Sequence, residues 1–95
     1  MDVLYDRVAG LDIGKATLTV CVRVPGDRGR RLAQTRTFKT TTGSLQVMRD
    51  WLVELGVSIA AMESTSTYWK PPFYCLEDVM EVWLLNAAHM KASLP

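Results

Sequence analysis

Two acidic residues, Asp12 and Glu63, stand where the surrounding sequence is apolar. Asp12 interrupts the stretch GLDIGKATLTV, Gly10 to Val20, and Glu63 directly follows the apolar run VSIAAM. If these stretches form neighbouring parallel strands, their backbones lie about 4.8 Å apart and the two carboxylates converge. Two anions about 4 Å apart repel each other by roughly 4 kcal/mol at an effective dielectric constant of 20. Such a pair therefore requires either a shared proton or a bound cation.

A hard divalent cation fits these surroundings better than a shared proton. Gly10 and Gly14 leave room beside Asp12, and open α/β sheets bind ligands at strand ends. Mg²⁺ takes one or two protein carboxylates and completes its coordination with water and phosphate oxygens, and a pair of such ions can cleave a phosphodiester. Each acid alone has a simpler interpretation, as an Asx turn or as the solvated start of a loop. The two acids in their contexts favour the metal site.

Hydrophobic patterning predicts seven elements that would position these residues. Their order is β-β-β-α-β-α-β, which indicates an α/β fold with a mixed sheet, because a hairpin meander is followed by crossover helices. One helix follows the hydroxyl caps of TTTGS and ends at Gly56, and a second begins at Pro71 and runs to about Met80. The predicted strands span residues 7–13, 17–24, 31–39, 57–62 and 81–85.

The same patterns predict which side chains face the core. The first strand is apolar on both faces, so we expect it to be covered on two sides. In the second strand, alternate residues from Leu18 to Val24 share one buried face. The second helix should turn Phe73, Leu76 and Val79 inward. Two cysteines form no metal or disulfide pattern and are predicted to be buried free thiols; they are Cys21 and Cys75.

Length and charge narrow the class of protein. The chain has 95 residues, a length that fits one small domain. Its formal net charge of +1 is too small to hold DNA without a local site. Charges at Asp2, Asp6 and Arg7 leave no apolar run near the N-terminus that is long enough for a signal peptide or a membrane helix. We therefore expect a cytoplasmic protein without a membrane partner.

Three motifs resemble successive motifs of the DEDD-type transposases of bacterial insertion sequences, at similar spacing and across essentially the whole chain. They are GLDIGK at 10–15, MESTSTYWKP at 62–71 and LLNAAHMK at 84–91. The N-terminal domain of that family is RuvC-like, so the resemblance implies a ribonuclease H-like mixed sheet. Asp12 matches the first catalytic acid of the family and Glu63 the second, which implies that both are ligands of Mg²⁺ or Mn²⁺.

The resemblance also implies residues that this chain does not supply. The third and fourth acids of the family form a D-x-x-D pair on a later helix, which would follow shortly after NAAHMKASLP, and the chain ends at Pro95. We therefore expect residues 1–95 to be a partial, C-terminally truncated RuvC-like catalytic domain with little nuclease activity of its own. Ser66 stands where the family often has glycine, which would alter the loop beyond Glu63.

The implied function of the intact protein is Mg²⁺-dependent cleavage and transfer of DNA strands during transposition. The implied partners are DNA, an element-encoded guide RNA and further copies of the same chain. Basic groups pair with phosphates and aromatic rings stack on bases, which gives six candidate nucleic-acid contacts. They are Lys15, Tyr68, Trp69, Lys70, His89 and Lys91.

Each of these candidates has a plainer interpretation as well. The first lysine could be solvated in a turn, the two aromatic rings could pack against the second helix, and a single histidine in a polar tail is commonly exposed. Arg28, Arg30 and Arg31 could contact phosphates or form a solvated hairpin tip.

Three other functions fit parts of the sequence. A Holliday-junction resolvase-like nuclease also begins with a GxDxG strand, although the ESTSTYWKP block argues against it. A sugar-kinase or actin-like ATPase carries a similar D-x-G phosphate loop, but its chain is much longer. A non-catalytic interaction module is the third, and exposed apolar surface beside an unpaired sheet edge would then cause self-association.

Overall fold

The computed structural model describes residues 7–26, 31–64 and 66–85. Two helices, α1 (Thr42–Glu54) and α2 (Lys70–Leu76), accompany a single five-stranded sheet. Its strands are β1 (Val8–Ile13), β2 (Thr17–Pro25), β3 (Arg31–Lys39), β4 (Ile59–Ser64) and β5 (Glu81–Leu85). The order across the sheet is β3-β2-β1-β4-β5. Pairing is antiparallel from β3 to β1 and parallel from β1 through β4 to β5. The predicted α/β class, mixed sheet and element order are confirmed.

The antiparallel half of the sheet follows the predicted alternation. The β2 side chains from Leu18 to Val24 that share one face are buried, while their neighbours are half-buried or exposed. β2 pairs along its whole length with β3, from Thr17 opposite Lys39 to Pro25 opposite Arg31. The second hairpin is therefore confirmed, although residues 27–30 of its turn lie outside the described residues.

Helix α1 begins and ends where its capping residues predict. The amide of Ser44 donates a hydrogen bond to the Thr41 hydroxyl at 3.4 Å, which satisfies one of the free N–H groups of the first turn. Gly56, just after the helix, has a φ of +75°, a left-handed conformation that glycine adopts without steric cost. In the described ranges, no helix is long and apolar enough to cross a membrane. The buried side chains of α1 are Leu45, Met48 and Leu52.

The structure shifts two predicted boundaries. β4 begins at Ile59 and continues to Ser64, so Glu63 lies within the strand and does not follow it. Helix α2 starts at Lys70 and has Pro71 and Pro72 in its first turn, as predicted, but it ends at Leu76, four residues before Met80. The reason is tertiary: the amide of Glu81 donates to the carbonyl of Ser58 at 3.0 Å, which requires the chain to leave the helix early.

The early end of α2 changes one predicted core residue. Leu76 is fully buried, and Phe73 packs partly buried against the core, both as predicted. Val79 lies in the turn after the helix and is 44% exposed. The prediction that Val79 faces the core is therefore wrong.

Both helices cover the same face of the sheet. The parallel connections from β1 to β4 and from β4 to β5 step in one direction across the sheet, and such crossovers are right-handed, so their helices lie on one side. The core fills the space between them. The opposite face of β1 exposes Gly10 and Asp12 in the part of the chain that the structure describes. The expectation that β1 is covered on two sides is wrong for these residues, because a glycine that reads as apolar adds no side chain to bury.

The two cysteines are free, as predicted, but half-buried rather than buried. Cys21 lines the open face of the sheet. The thiol of Cys75 lies between the helices and donates to the Leu45 carbonyl, with Sγ and O separated by 3.4 Å.

Candidate functional site

Asp12 and Glu63 are direct neighbours across the parallel pair β1–β4. The register places Asp12 opposite Glu63, between the pairs Leu11–Met62 and Ile13–Ser64. Adjacent strands lie about 4.8 Å apart, so both carboxylates project from one small area near the carboxyl ends of two strands. The predicted neighbourhood of the two acids is therefore confirmed, and their catalytic role stays a prediction.

Both carboxylates are exposed to solvent. Neither accepts a hydrogen bond or forms an ion pair with any residue that the structure describes. Two unit charges about 4 Å apart repel by only about 1 kcal/mol in bulk water, whereas at an effective dielectric constant of 20 the repulsion is roughly 4 kcal/mol. Exposure therefore makes the pair tolerable without a bound cation, and it leaves the oxygen atoms free to act as ligands.

The acids border a shallow concavity of about 350 Å³ on the open face of the sheet. Thr19 is the β2 partner of Asp12, and Leu85 is the β5 partner of Glu63. Gly10 forms part of the floor, and a Cβ built on it would meet no atom within 4 Å. The room that we predicted beside Asp12 is therefore present. It is due to the open face of the sheet as a whole and not to this glycine alone.

The turn after Asp12 is held in place by hydrogen bonds. The amide of Gly14 donates to the Thr17 carbonyl at 2.9 Å, which closes the β1–β2 hairpin. The hydroxyl of Thr40 donates to the Lys15 carbonyl at 3.0 Å, and the Thr40 amide donates to Ala16 at 3.1 Å. The backbone of Lys15 is thereby held at the same end of the sheet as Asp12, and its side chain is exposed there.

Asp12 and Glu63 offer the kind of ligand atom that a hard cation prefers, but fewer ligands than such an ion takes. Carboxylate oxygens are the ligands that Mg²⁺ and Mn²⁺ prefer. Within residues 7–26, 31–64 and 66–85, no group of three or more His, Cys, Asp or Glu side chains is placed to hold a metal ion. Asp12 and Glu63 would therefore supply two ligands, and water, substrate or further residues the rest.

The two aromatic candidates for nucleic-acid contacts, Tyr68 and Trp69, do not join this pair on the open face. Tyr68 and Trp69 are half-buried and pack against the helix-side core. Trp69 makes an edge-on contact with Phe73, with ring centroids 5.5 Å apart, and the Lys70 ammonium lies 6.0 Å from the Trp69 ring centroid. The plainer interpretation of the aromatics, packing against the second helix, therefore agrees with the structure. His89, Lys91, Arg28 and Arg30 lie outside the described residues.

Sequence reasoning missed the threonines beside the acids. Thr37 on β3 lies opposite Thr19, and their hydroxyl oxygens are 3.3 Å apart. The only available signal was the alternation of threonines in both strands. It identifies one polar face, but the long-range pairing of β2 with β3 decides which threonines meet.

Comparison with known proteins gives both a family and a fold. A model of the DEDD transposases of the IS110 type, described as transposase, matches residues 9–93. A search of curated proteins found no match.

Among solved structures, Thermus thermophilus RuvC is similar, with a TM-score of 0.60 and 18% identity over 93% of this chain and 68% of that chain. RuvC from the same organism, in complex with a Holliday junction substrate, gives 0.61 and 15% over 93% and 70%. The fowlpox virus Holliday junction resolvase gives 0.59 and 15% over 84% and 60%. The RuvC-like fold expected from the motifs is confirmed.

Proposed function

The chain belongs to the DEDD transposases of the IS110 type, whose family model matches residues 9–93, and we propose that Asp12 and Glu63 bind Mg²⁺ for cleavage and transfer of DNA strands. The family and the RuvC-like fold together identify an enzyme of the transposase and nuclease class. The observation that carries the proposal is the β1–β4 register, which pairs the two matching acids.

The mechanism assigns simple tasks to the residues of this chain. Asp12 and Glu63 provide carboxylate oxygens and two negative charges on an exposed face that a phosphodiester can reach. A divalent ion bound there would activate water and stabilise the leaving oxygen. Lys15 offers a cation at the adjacent turn, where it can pair with a phosphate oxygen. Mn²⁺ can replace Mg²⁺ because it prefers the same ligands.

We further propose that the third and fourth acids of the family complete the metal site from a later part of the same domain. Two carboxylates with no third ligand nearby among the described residues support this. DNA is the proposed substrate, in keeping with the Holliday junction bound to T. thermophilus RuvC. A guide RNA is proposed from the family resemblance alone.

A homo-oligomer is also proposed, on the evidence of the open sheet face. A concavity of about 500 Å³ on this face is lined by apolar side chains that include Val8, Ile59 and Trp83. Trp83 lies on the edge strand β5 and is 48% exposed. Within the described residues the outer edge of β5 is unpaired, and apolar surface beside such an edge favours association with a second copy.

Direct measurement of metal binding tests the central proposal. Mn²⁺ titration followed by electron paramagnetic resonance should show weak binding to this chain and affinity lower by at least about tenfold in Asp12→Asn and Glu63→Gln, since loss of even an outer-shell partner commonly costs about 10- to 100-fold. Glu54→Gln, an exposed acid at the end of α1, is the matched control. Equal Mn²⁺ affinity in all four proteins would refute the site.

Cleavage is tested in a longer transposase chain that carries all four acids. There, Asp12→Ala or Glu63→Ala should abolish Mg²⁺-dependent nicking of DNA while leaving the circular dichroism spectrum unchanged. Nicking retained by either variant would remove that residue from the mechanism.

A further inference from the structure

The near-neutral net charge conceals a strong separation of charge along the chain. Between residues 13 and 49 the sequence holds eight basic residues and one acid, Asp27. Between residues 50 and 85 it holds six acids and one base, Lys70. The basic residues of the first segment are Lys15, Arg23, Arg28, Arg30, Arg31, Arg36, Lys39 and Arg49. Among the described residues, Arg23, Arg36 and Lys39 are exposed on β2 and β3, which makes this half of the sheet the basic half.

Two of these cations lie at the end of the sheet that carries the acids. Lys39 is the last residue of β3 and pairs with Thr17 at the start of β2. Lys15 lies in the β1–β2 turn, which Thr40 ties to the end of β3. Both lysines are exposed, and their ammonium groups form no ion pair with any described residue.

Hydroxyl groups connect this basic edge to the acids. Thr37, Thr19, Asp12 and Glu63 occupy one row across four adjacent strands. The Thr37 and Thr19 hydroxyls are 3.3 Å apart, so both project from the same face. Lys39 shares that face of β3 with Thr37, because side chains two residues apart on a strand point the same way. No acidic side chain interrupts the row between β3 and Asp12.

The other half of the open face has a different character. Around Val8, Ile59 and Trp83 it is mainly apolar, with Arg23 as the one charged residue of the lining, which suits association with protein better than with a polyanion. The polar row is therefore a distinct surface, and its cations and hydroxyl donors are the groups that hold sugar–phosphate backbones.

We propose that Lys15, Lys39, Thr19 and Thr37 form a track that guides the backbone of a single nucleic-acid strand from the β3 edge to Asp12 and Glu63. The track rests on the proposed function for its direction, since it leads to the proposed metal site. It binds phosphates and sugars without base contacts, so its affinity depends on salt and not on sequence.

The test is fluorescence anisotropy of a labelled 20-nucleotide single-stranded DNA, titrated with this chain in EDTA at several low salt concentrations. The wild type should bind, and Lys15→Gln with Lys39→Gln should reduce the slope of log K against log salt by about 1.4, because each contact with a single strand contributes about 0.7. Arg49→Gln removes one positive charge from α1, outside the track, and should leave the slope unchanged. Absence of wild-type binding, or a fall of about 0.7 in the slope with Arg49→Gln, would overturn the track.

The hydroxyls are tested separately from the charges. Thr19→Val with Thr37→Val should weaken binding about three- to tenfold per hydrogen bond lost. The salt slope should stay unchanged, whereas a general loss of structure would also change the slope. Binding unaffected by this pair would remove the threonines from the track.

Asp12→Asn and Glu63→Gln distinguish the track from the metal site. In EDTA both variants should bind DNA at least as tightly as the wild type, because they remove negative charge. Lysine-dependent DNA binding without Mn²⁺ binding would support the track and refute the metal site. Mn²⁺ binding without a lysine effect would do the reverse.

Discussion

Glu63 lies directly opposite Asp12 in the parallel register of β1 and β4, although the two residues are far apart in sequence. Backbone pairing brings the two exposed carboxylates together, and no side-chain hydrogen bond or ion pair with a described residue holds them. The arrangement is thus built into the sheet before any ion binds. The free protein retains the like-charge repulsion, and ion binding would relieve it.

The first prediction is that divalent ions raise the melting temperature of the wild type. An ion present at ten times its Kd stabilises the folded state by about 1.4 kcal/mol, which is roughly 6–11 °C for a domain of this size. Thermal unfolding with and without MgCl₂ or MnCl₂ measures this rise, and Asp12→Asn and Glu63→Gln should reduce it strongly.

Without metal, the same two variants should be as stable as the wild type or more stable by up to about 1 kcal/mol, since one like-charge contact is lost. A marked loss of metal-free stability would show that the carboxylates make structural contacts, contrary to their exposure.

The second prediction concerns the end of α2. Leu76→Ala should lower the free energy of unfolding by about 2–5 kcal/mol because Leu76 is fully buried. Val79→Ala should cost no more than about 0.5 kcal/mol because Val79 is an exposed turn residue. Urea unfolding followed by circular dichroism measures both values. Similar losses for the two variants would mean that the helix continues to Met80, as its apolar spacing predicts.

The existence of α2 could be predicted from the sequence, but its last residue could not. The order of elements, the buried face of β2 and a hydroxyl cap within TTTGS depend on local patterns, and all could be predicted. The end of α2 depends on the hydrogen bond from Glu81 to Ser58, a contact between distant segments. The spacing of Phe73, Leu76 and Val79 is helical regardless of whether the chain leaves the helix.

In the candidate site, likewise, some residues could be predicted from local sequence and others depend on pairing between distant strands. Asp12 and Glu63 could be found because an acid within an apolar strand is a local anomaly, and a parallel sheet brings two such strand ends together. The pairing of Thr19 with Thr37 could not, since threonine is common on the polar face of any strand and only the β2–β3 register decides which hydroxyls meet.

The third prediction concerns the backbone of Ser66, which follows β4. Ser66 has a φ of +54°, a left-handed conformation that costs a residue with a Cβ roughly 1–2 kcal/mol. Ser66→Gly should be at least as stable as the wild type, because relief of this cost matches or exceeds the effect of the added freedom of the unfolded chain, about 0.4–1 kcal/mol. Ser66→Val should be less stable than Ser66→Gly by about 1–2 kcal/mol, since β-branched side chains tolerate a positive φ poorly. Equal urea midpoints for these two variants would contradict the left-handed turn.

The fourth prediction is a pH dependence at Cys75. Burial raises the pKa of the Cys75 thiol; Arg49 opposes this and Asp50 adds to it. Alkylation by iodoacetamide at pH 8 should therefore be slower in the folded chain than in urea, because the thiolate is the reactive form. Mass spectrometry of the modified peptides measures this rate, and an equal rate in both states would contradict the shift.

The raised pKa of the Cys75 thiol also makes the stability of the fold depend on pH. A thiol whose pKa is raised by folding favours the folded state while it is protonated, below its ordinary value near 8.5. That contribution is lost as the pH rises through the raised pKa. Cys75→Ala should flatten the fall in stability above about pH 8.5, whereas Cys21→Ala is the comparison for a thiol on the open face.

The last prediction concerns the apolar half of the open face. Trp83 is 48% exposed beside Val8 and Ile59, and Tyr74 on α2 is 59% exposed on the opposite side of the sheet. Trp83→Lys should shift the chain from oligomer to monomer because it places a charge in the apolar contact. Tyr74→Lys makes a comparable change elsewhere and should leave the oligomer intact. Sedimentation velocity over a range of concentrations measures both, and a wild type that stays monomeric at high concentration would rule out association through this face.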